Sequence, residues 1–537
     1  MGNYCDLIAR ILREYKEINI IEIFEPSSVT FELKGNHYGI IKGNDEEFPV
    51  IFAANSETNY PHHFVYNNTN GRLQGICLFE EGTLIKYIHT EEERIRLCID
   101  RLIDLVSLSK SEIIDEYQKE FLYYWHKFGV VPKQHSAVDY QIYLDHSDEY
   151  QWLEQQAYGG NVVRITKPHS QFNDSKDMQQ IKKTPALYLP IEDARKLLPP
   201  LISKPWDAHV INDIIAGLTY QRINPEAYSC ISDQSYSHKE ILLVFRLNNL
   251  YFGCIIKFKN PGTAKLLRKI ENQISEVIPI DVSRCDFNYL NEQIGNSVHD
   301  ERVVVVGAGS LGSYVVDELA HAGYKNIVII DADEYEHPNI FRHRVKWFFT
   351  SCSKSYALKV AIEQIHPEIN IRAIDKNLTI DNIDECIPPD AQIIIFTVGS
   401  SDVQLQLNKA FMKQAFEARV FYSWLEHDGK TSHVAAIRST SEGCFECLFT
   451  DQDGHKCKNV INIADPSTLV YTRNGCGGTR IHYGNRTLLT ASALVLTALE
   501  DSFQGNAIYS YINSAMHKQD FPQNSRCGCC GIREQVR

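Results

Sequence analysis

Residues 302–312 read Arg302-Val-Val-Val-Val306-Gly307-Ala-Gly309-Ser-Leu-Gly312. An unbroken run of β-branched apolar residues is the composition of a strand buried on both faces. The run passes directly into a glycine-rich turn. Glycine allows a tight turn and a close approach of backbone to phosphate, and the helix beyond offers unpaired N–H groups to an anion. The pattern predicts a strand over 302–306, a helix over 314–322 and further strands over 327–330 and 393–397. Short apolar strands alternating with helices form a mostly parallel sheet. A glycine turn of this spacing serves a dinucleotide as readily as ATP, so it does not choose between a dehydrogenase and an ATP-cleaving enzyme.

The next polar stretch makes the choice. It reads Asp331-Ala-Asp333-Glu-Tyr-Glu-His-Pro-Asn339-Ile-Phe-Arg342-His343. Asp331, ending the second strand, suits a ribose hydroxyl in either enzyme. The polar and basic run after it has no use in hydride transfer. An enzyme that releases pyrophosphate needs cations where that charge develops, and arginine makes bidentate phosphate contacts.

The chain has fifteen cysteines, and seven of them fall after residue 440: Cys444, Cys447, Cys457, Cys476, Cys527, Cys529 and Cys530. In a long chain read as cytosolic, metal binding or catalysis explains such clustering better than a disulfide framework. Cys444 with Cys447, and Cys527 with Cys530, form two CxxC knuckles, which together offer the four thiolates that structural Zn²⁺ takes. Cys529 is an alternative ligand. Cys476 differs from these. It lies in Arg473-Asn-Gly-Cys476-Gly-Gly-Thr-Arg480, where flanking glycines leave the thiol accessible and two arginines favour the thiolate. A thiol of that kind suits attack on an acyl-adenylate.

Here the chain resembles the adenylating domain of the E1 and ThiF superfamily. That family carries a glycine loop, a D-x-D pair, N-L-x-R and a lysine, and Gly307, Gly309, Gly312, Asp331, Asp333, Asn339 and Arg342 match it. The resemblance places the lysine at Lys354, with Lys359 as the fallback. It implies ATP and Mg²⁺ as cofactors, with Arg342 also in a catalytic role. The family's Mg²⁺-binding Asp is replaced by Gly399, so either Asp402 substitutes or the metal is held differently. The knuckles resemble the zinc clamp of E1-like domains. Cys476 and its glycines, with Trp424, Glu426 and His433 upstream, resemble bacterial E1-like proteins.

The organisation along the chain gives three zones: 1–125, 126–295 and 296–537. The first predicts strands over 29–33, 37–41 and 49–53, then a helix starting at Thr90 with Glu93 completing a capping box, and a further helical stretch from Glu112 to Trp125. Its Gln74-Gly-Ile-Cys77-Leu resembles the acceptor motif of an E2 (UBC) conjugating domain. The E2 histidine-proline-asparagine triplet is missing; Asn67, Asn68 and Thr69 stand at that spacing, and Pro61, His62 and His63 lie further back. The middle zone is an α+β spacer or docking domain without a chemical motif, with a turn-rich, charged loop from His169 to Lys183. The third zone is the Rossmann-like adenylation domain. The whole is a multidomain α/β and α+β chain that resembles bacterial E2–E1 fusions, such as the CD-NTase-associated fusions of CBASS anti-phage systems.

The implied activity is ATP-dependent activation of a protein C-terminal glycine, on a ubiquitin-like protein or a CD-NTase. Thioester capture on Cys476, transfer to Cys77 and conjugation to an acceptor amine follow. The alternatives are a ThiF-like sulfur-carrier activator, or a docking regulator whose E2-like domain is inert. The family usually forms homodimers. A net charge of −14 argues against nucleic acid as a partner. No apolar run approaches a membrane span and no signal core opens the chain, so the expected location is the cytoplasm.

Overall fold

The structure is a computed structural model. It describes residues 4–24, 28–43, 48–54, 61–68, 71–79, 88–128, 138–145, 147–158, 161–168, 183–191, 197–200, 206–216, 239–260, 272–414, 418–465, 467, 471–473 and 479–531. The chain divides into two compact units, one of residues 1–142, 146–168 and 182–283, the other of residues 143–145, 169–181 and 284–537. Residues 284–295 thus fall with the second unit, ahead of the boundary at 296 read from the sequence. The loop expected over 169–183 lies almost wholly outside the described residues.

The first unit opens with helix α1 (Tyr4–Leu12) and strands β1 (Ile18–Phe24), β2 (Ser28–Leu33), β3 (Asn36–Ile41), β4 (Val50–Ala53), β5 (His63–Asn68) and β6 (Gly71–Ile76). They form a six-stranded sheet in the order β1-β2-β3-β4-β6-β5. Alternate residues such as Val29, Phe31 and Leu33 are fully buried against α1 and helix α2 (Glu91–Val106), as period-2 patterning requires. Helix α2 starts at Thr90, whose hydroxyl accepts the Glu93 N–H while the Glu93 carboxylate accepts the Thr90 N–H. The helical stretch expected from Glu112 to Trp125 is two helices, α3 (Lys110–Lys119) and α4 (Phe121–Phe128), broken at Glu120.

The middle zone is more regular than the spacer or docking domain expected from its sequence. It folds as a closed barrel, order β10-β11-β12-β13-β7-β9-β8, of β7 (Asp139–Tyr143), β8 (Gln151–Tyr158), β9 (Val162–Thr166), β10 (Lys183–Ile191), β11 (Glu240–Leu247), β12 (Leu250–Phe258) and β13 (Ile274–Arg284), with helix α5 (Ala208–Ala216). Phe121 and Trp125 of α4 belong to its apolar core, beside Trp206 and Phe252.

The second unit begins with α6 (Phe287–Gln293) and is built on an eight-stranded sheet, order β16-β15-β14-β17-β18-β19-β22-β23. Its strands are β14 (His299–Val306), β15 (Tyr324–Ile330), β16 (Asn370–Ile374), β17 (Ala391–Phe396), β18 (Arg419–Leu425), β19 (Ser432–Ile437), β22 (Ala507–Ile512) and β23 (Ala515–Asp520). A separate hairpin pairs β20 (Tyr471–Arg473) with β21 (Thr479–Ile481). The pairs from β16 to β18 are parallel and the remainder antiparallel. Along β14, Val303 and Val305 enter one core with α7 (Ser310–His321), α8 (Lys354–Glu363) and α10 (Asn485–Glu500). Val304 and Val306 enter the opposite core with α9 (Ser401–Gln414) and the cysteine knuckles. Strand order reverses beside β14, and an open α/β sheet forms its crevice at such a point.

Two glycines of the loop after β14 carry different constraints. Gly307 has φ +99°, a conformation that favours glycine. A Cβ on Gly312 would lie 1.8 Å from the Gly307 carbonyl oxygen and 2.7 Å from Thr397 Oγ1. Gly309 has φ −74° and open space where a Cβ would stand. Gly312→Ala is therefore expected to destabilise the protein by about 1–3 kcal/mol, read as a fall in the urea midpoint. Gly309→Ala should stay within about 0.5 kcal/mol of the parent.

Candidate functional site

The C-terminal ends of β14, β15, β16 and β17 border a cavity of about 420 Å³. Gly307, Gly309, Asp331 and Asp333, all singled out from the sequence, line it together. Gly399 is also in its wall, so the position where the family carries an Asp does face the cavity. The Asp331 carboxylate joins two strand ends: Oδ2 accepts the Ala308 N–H (2.6 Å) and Oδ1 accepts the Asp333 N–H (2.8 Å). Burial pushes this carboxyl above its usual value, against the pull of those two amide bonds.

Lys354 opens α8 with its side chain nearly buried. Its Nζ pairs with Asp333 Oδ2 at 2.7 Å, and its backbone N–H donates to the Asp333 carbonyl at 2.8 Å. The lysine is thereby fixed to the D-x-D pair at the cavity edge. Asn339 and Arg342 lie on a 3-10 turn, His337–Arg342. Asn339 is buried and uses its Oδ1 to accept the Glu336 N–H. Arg342 has a buried Nε without a hydrogen-bond partner among the described residues. Asp402 stands exposed in the first turn of α9. Gly312 sits beneath the loop, and Asn339, Arg342, Lys354 and Asp402 are not in the cavity wall itself.

Sequence reasoning missed two groups. His343, in the polar run after the D-x-D pair, is one of them. Burial pushes its imidazole down to about 4, so it is neutral. Its Nε2–H donates to the Ala308 carbonyl (2.7 Å) and its Nδ1 accepts the Val345 N–H (3.2 Å), which ties the arginine-bearing turn to the glycine loop. Lys376, just past β16, lines the cavity and pairs with Glu385. The signal available for it was its position after a parallel strand, where ligand-facing residues gather.

Cys444, Cys447, Cys527 and Cys530 form a second site. Their sulfurs all lie within 4.8 Å of one another. Four thiols converging from two knuckles match the donor set and spacing of tetrahedral Zn²⁺, with Zn–S bonds of about 2.3 Å. Cys529 is not in the cluster; its sulfur accepts from Asn408 Nδ2 at 3.5 Å. Nearby, Glu426 and His433 are fully buried and paired at 2.6 Å. Burial alone would raise the Glu426 carboxyl, but the His433 bond and the Ile463 and Ala464 amides more than offset it and hold the carboxyl below its ordinary value. Cys476 lies outside the described residues. Cys77 belongs to the other unit, exposed at the end of β6.

Comparison with known proteins agrees with this geometry. Residues 287–495 match the ThiF family. The chain is 20% identical over 437 residues to the ATP-dependent ubiquitin transferase-like protein Cap2 of Pseudomonas aeruginosa, covering 78% of this chain and 77% of that one. It is 25% identical over 165 residues to ubiquitin-like modifier-activating enzyme 5 of Drosophila erecta, covering 28% of this chain and 40% of that protein's length. Among solved structures, E. coli MccB with ATP aligns at a TM-score of 0.34 and 18% identity, over 43% of this chain and 68% of MccB. No described helix is long and apolar enough to cross a membrane. Residues 287–495, which hold the glycine loop and the D-x-D joint, are thus the part of the second unit that matches the ThiF family, and the chain as a whole is similar to an ATP-dependent ubiquitin transferase-like protein.

Proposed function

We propose that this protein activates the C-terminal glycine carboxylate of a protein with ATP and conjugates it to an amine through two thioesters. The observation that carries the reading is the cavity at the ends of β14–β17, where Gly307, Gly309, Asp331 and Asp333 converge. The substrate carboxylate attacks the α-phosphorus of ATP and pyrophosphate leaves. The Cys476 thiolate attacks the acyl-adenylate and AMP leaves. Cys77 displaces Cys476 by transthioesterification. An acceptor amine then attacks the Cys77 thioester, loses a proton and releases the thiolate. Arg342 and Lys354 compensate phosphate charge, and the orphaned Nε of Arg342 supports an anion as its missing partner. Asn339 shapes the turn that carries Arg342. Mg²⁺, when bound, adds further compensation of phosphate charge; Asp402 is the acidic group proposed to hold it.

The E2-like reading of residues 1–125 is supported by an antiparallel sheet backed by α1 and α2, with an exposed cysteine past β6. In this reading the cargo is a ubiquitin-like protein or a CD-NTase and the setting is cytoplasmic anti-phage defence; the similarity to a ubiquitin transferase-like protein supports a protein cargo. Exposed Phe341, Trp347 and Phe348 support a homodimer through the second unit.

Arg342→Ala should leave the fold intact and reduce ATP–pyrophosphate exchange by ~10²–10³. Undiminished exchange would remove Arg342 from the phosphate role. Native protein should contain one zinc per chain by metal analysis. Truncation before Cys527 should lower stability outright, because two ligands and their folding energy are lost.

The relay has a fixed order. Cys476→Ala should keep pyrophosphate exchange and form no thioester. Cys77→Ala should load Cys476 and then stall. Non-reducing gels with ATP and the cargo read both outcomes. Full conjugation by Cys77→Ala would make the first unit a docking module whose E2-like domain is inert.

A further inference from the structure

Cys77 continues the β5–β6 ladder, in which His63 faces Ile76. Its N–H donates to the His62 carbonyl at 2.7 Å, so His62 stands directly opposite Cys77. His62 has φ +71°, a left-handed conformation that is uncommon for a side-chain-bearing residue and is held only where the surroundings impose it.

In that conformation the residue is held by a pair of carboxylates. His62 Nε2 lies 3.0 Å from Glu116 Oε2, and Nδ1 lies 2.5 Å from Glu120 Oε1. The His62 backbone N–H donates to Glu120 Oε2 at 2.9 Å. A neutral imidazole has one N–H and cannot donate to both glutamates, so this arrangement needs the imidazolium. Burial alone would lower the His62 pKa, but the two glutamates win and raise it.

Among the described residues, other charged and titratable groups also border the cluster. Glu116 is also paired with Lys119 at 2.6 Å. His63 is held neutral by burial, at about 4, and its backbone N–H donates to Tyr124 Oη. Tyr123 on α4 is pushed up by burial and then by the charge of Cys77 and Glu120. Arg101 of α2 reaches the Leu78 carbonyl. The opposite side of α4 is set in the barrel core through Phe121 and Trp125. The barrel therefore fixes the helices that hold His62, and His62 fixes the strand end that carries Cys77.

We propose that Glu116, His62 and Glu120 form a positioning cluster for Cys77, which holds the thiol in place only while His62 is protonated. The proposal rests on the reading that Cys77 receives the acyl group. The tie is complete below the ordinary pKa of histidine and is lost as the pH rises through the raised value of His62. Its loss also adds net negative charge beside Cys77, which disfavours the thiolate.

The test is alkylation of Cys77 by iodoacetamide in the full-length chain, quantified by peptide mass spectrometry from about pH 6 to about pH 9. His62→Asn is the principal variant, because asparagine tolerates the left-handed conformation. The parent profile should show a second inflection besides thiol ionisation. His62→Asn should lose that inflection and react more slowly at neutral pH, on the order of threefold to tenfold. Glu120→Gln should move the inflection to lower pH, a shift that a purely structural role would not produce. Superimposable profiles for parent and His62→Asn overturn the proposal. Alkylation needs neither ATP nor cargo, so this result stands apart from the relay; full conjugation by Cys77→Ala would refute the acceptor role alone.

Discussion

Both oxygens of Asp331 are occupied by backbone N–H groups, one from Ala308 in the glycine loop and one from Asp333 at its own strand end. This carboxylate clips the turn after β14 to the turn after β15. From the other side, the Thr397 hydroxyl donates to the Gly307 carbonyl at 2.7 Å and joins the end of β17 to the same turn. Three parallel strand ends are thereby held around one loop. The close approach of α7 to that loop leaves no room for a side chain on Gly312. The cavity wall is a consequence of these ties, and a helix N-terminus facing it provides the N–H groups that an anion requires.

The ties extend outward through neutral and charged groups of different kinds. His343 is kept uncharged by burial, so its single N–H can hold the Ala308 carbonyl without placing a cation beneath the loop. Lys354 directs its Nζ at Asp333. The polar run that follows the D-x-D pair thus does two jobs in one short segment. One part supports the loop, and the other keeps a basic group at the cavity edge. The thiol cluster sits on the opposite core from α7, where Cys444, Cys447 and Cys527 pack with Phe445 and Leu448, so convergence of the thiols and closure of the sheet's second face are one structural problem.

In the first unit the organising contact is different. Helix α4 gives Phe121 and Trp125 to the barrel core, while Glu120, at the break before it, holds His62. The sequence reading put Phe121 and Trp125 at the end of the E2-like zone. A short aromatic helix offers no periodicity long enough to say which core it enters, and only the packing distinguishes them. The barrel itself was also hidden. Its strands such as β11 are continuous apolar runs, readable one at a time, but closure depends on pairing between residues far apart in the chain, for example β10 with β11 in parallel.

What the sequence determined by itself was local. The run of valines into Gly307 marked the buried strand and its turn, because β-branched composition and glycine spacing act within a few residues. Thr90 with Glu93 marked a helix start for the same reason, as did the two CxxC knuckles for a thiolate pair each. Only the tertiary structure decided how those pieces meet. It set Cys530, not Cys529, among the four clustered thiols, made Asp331 a backbone clip, gave His343 a partner in Ala308, and set His62 between two glutamates. Each of these depends on the direction of a side chain relative to an element distant in sequence, and that direction is fixed by core packing and sheet register rather than by any short motif.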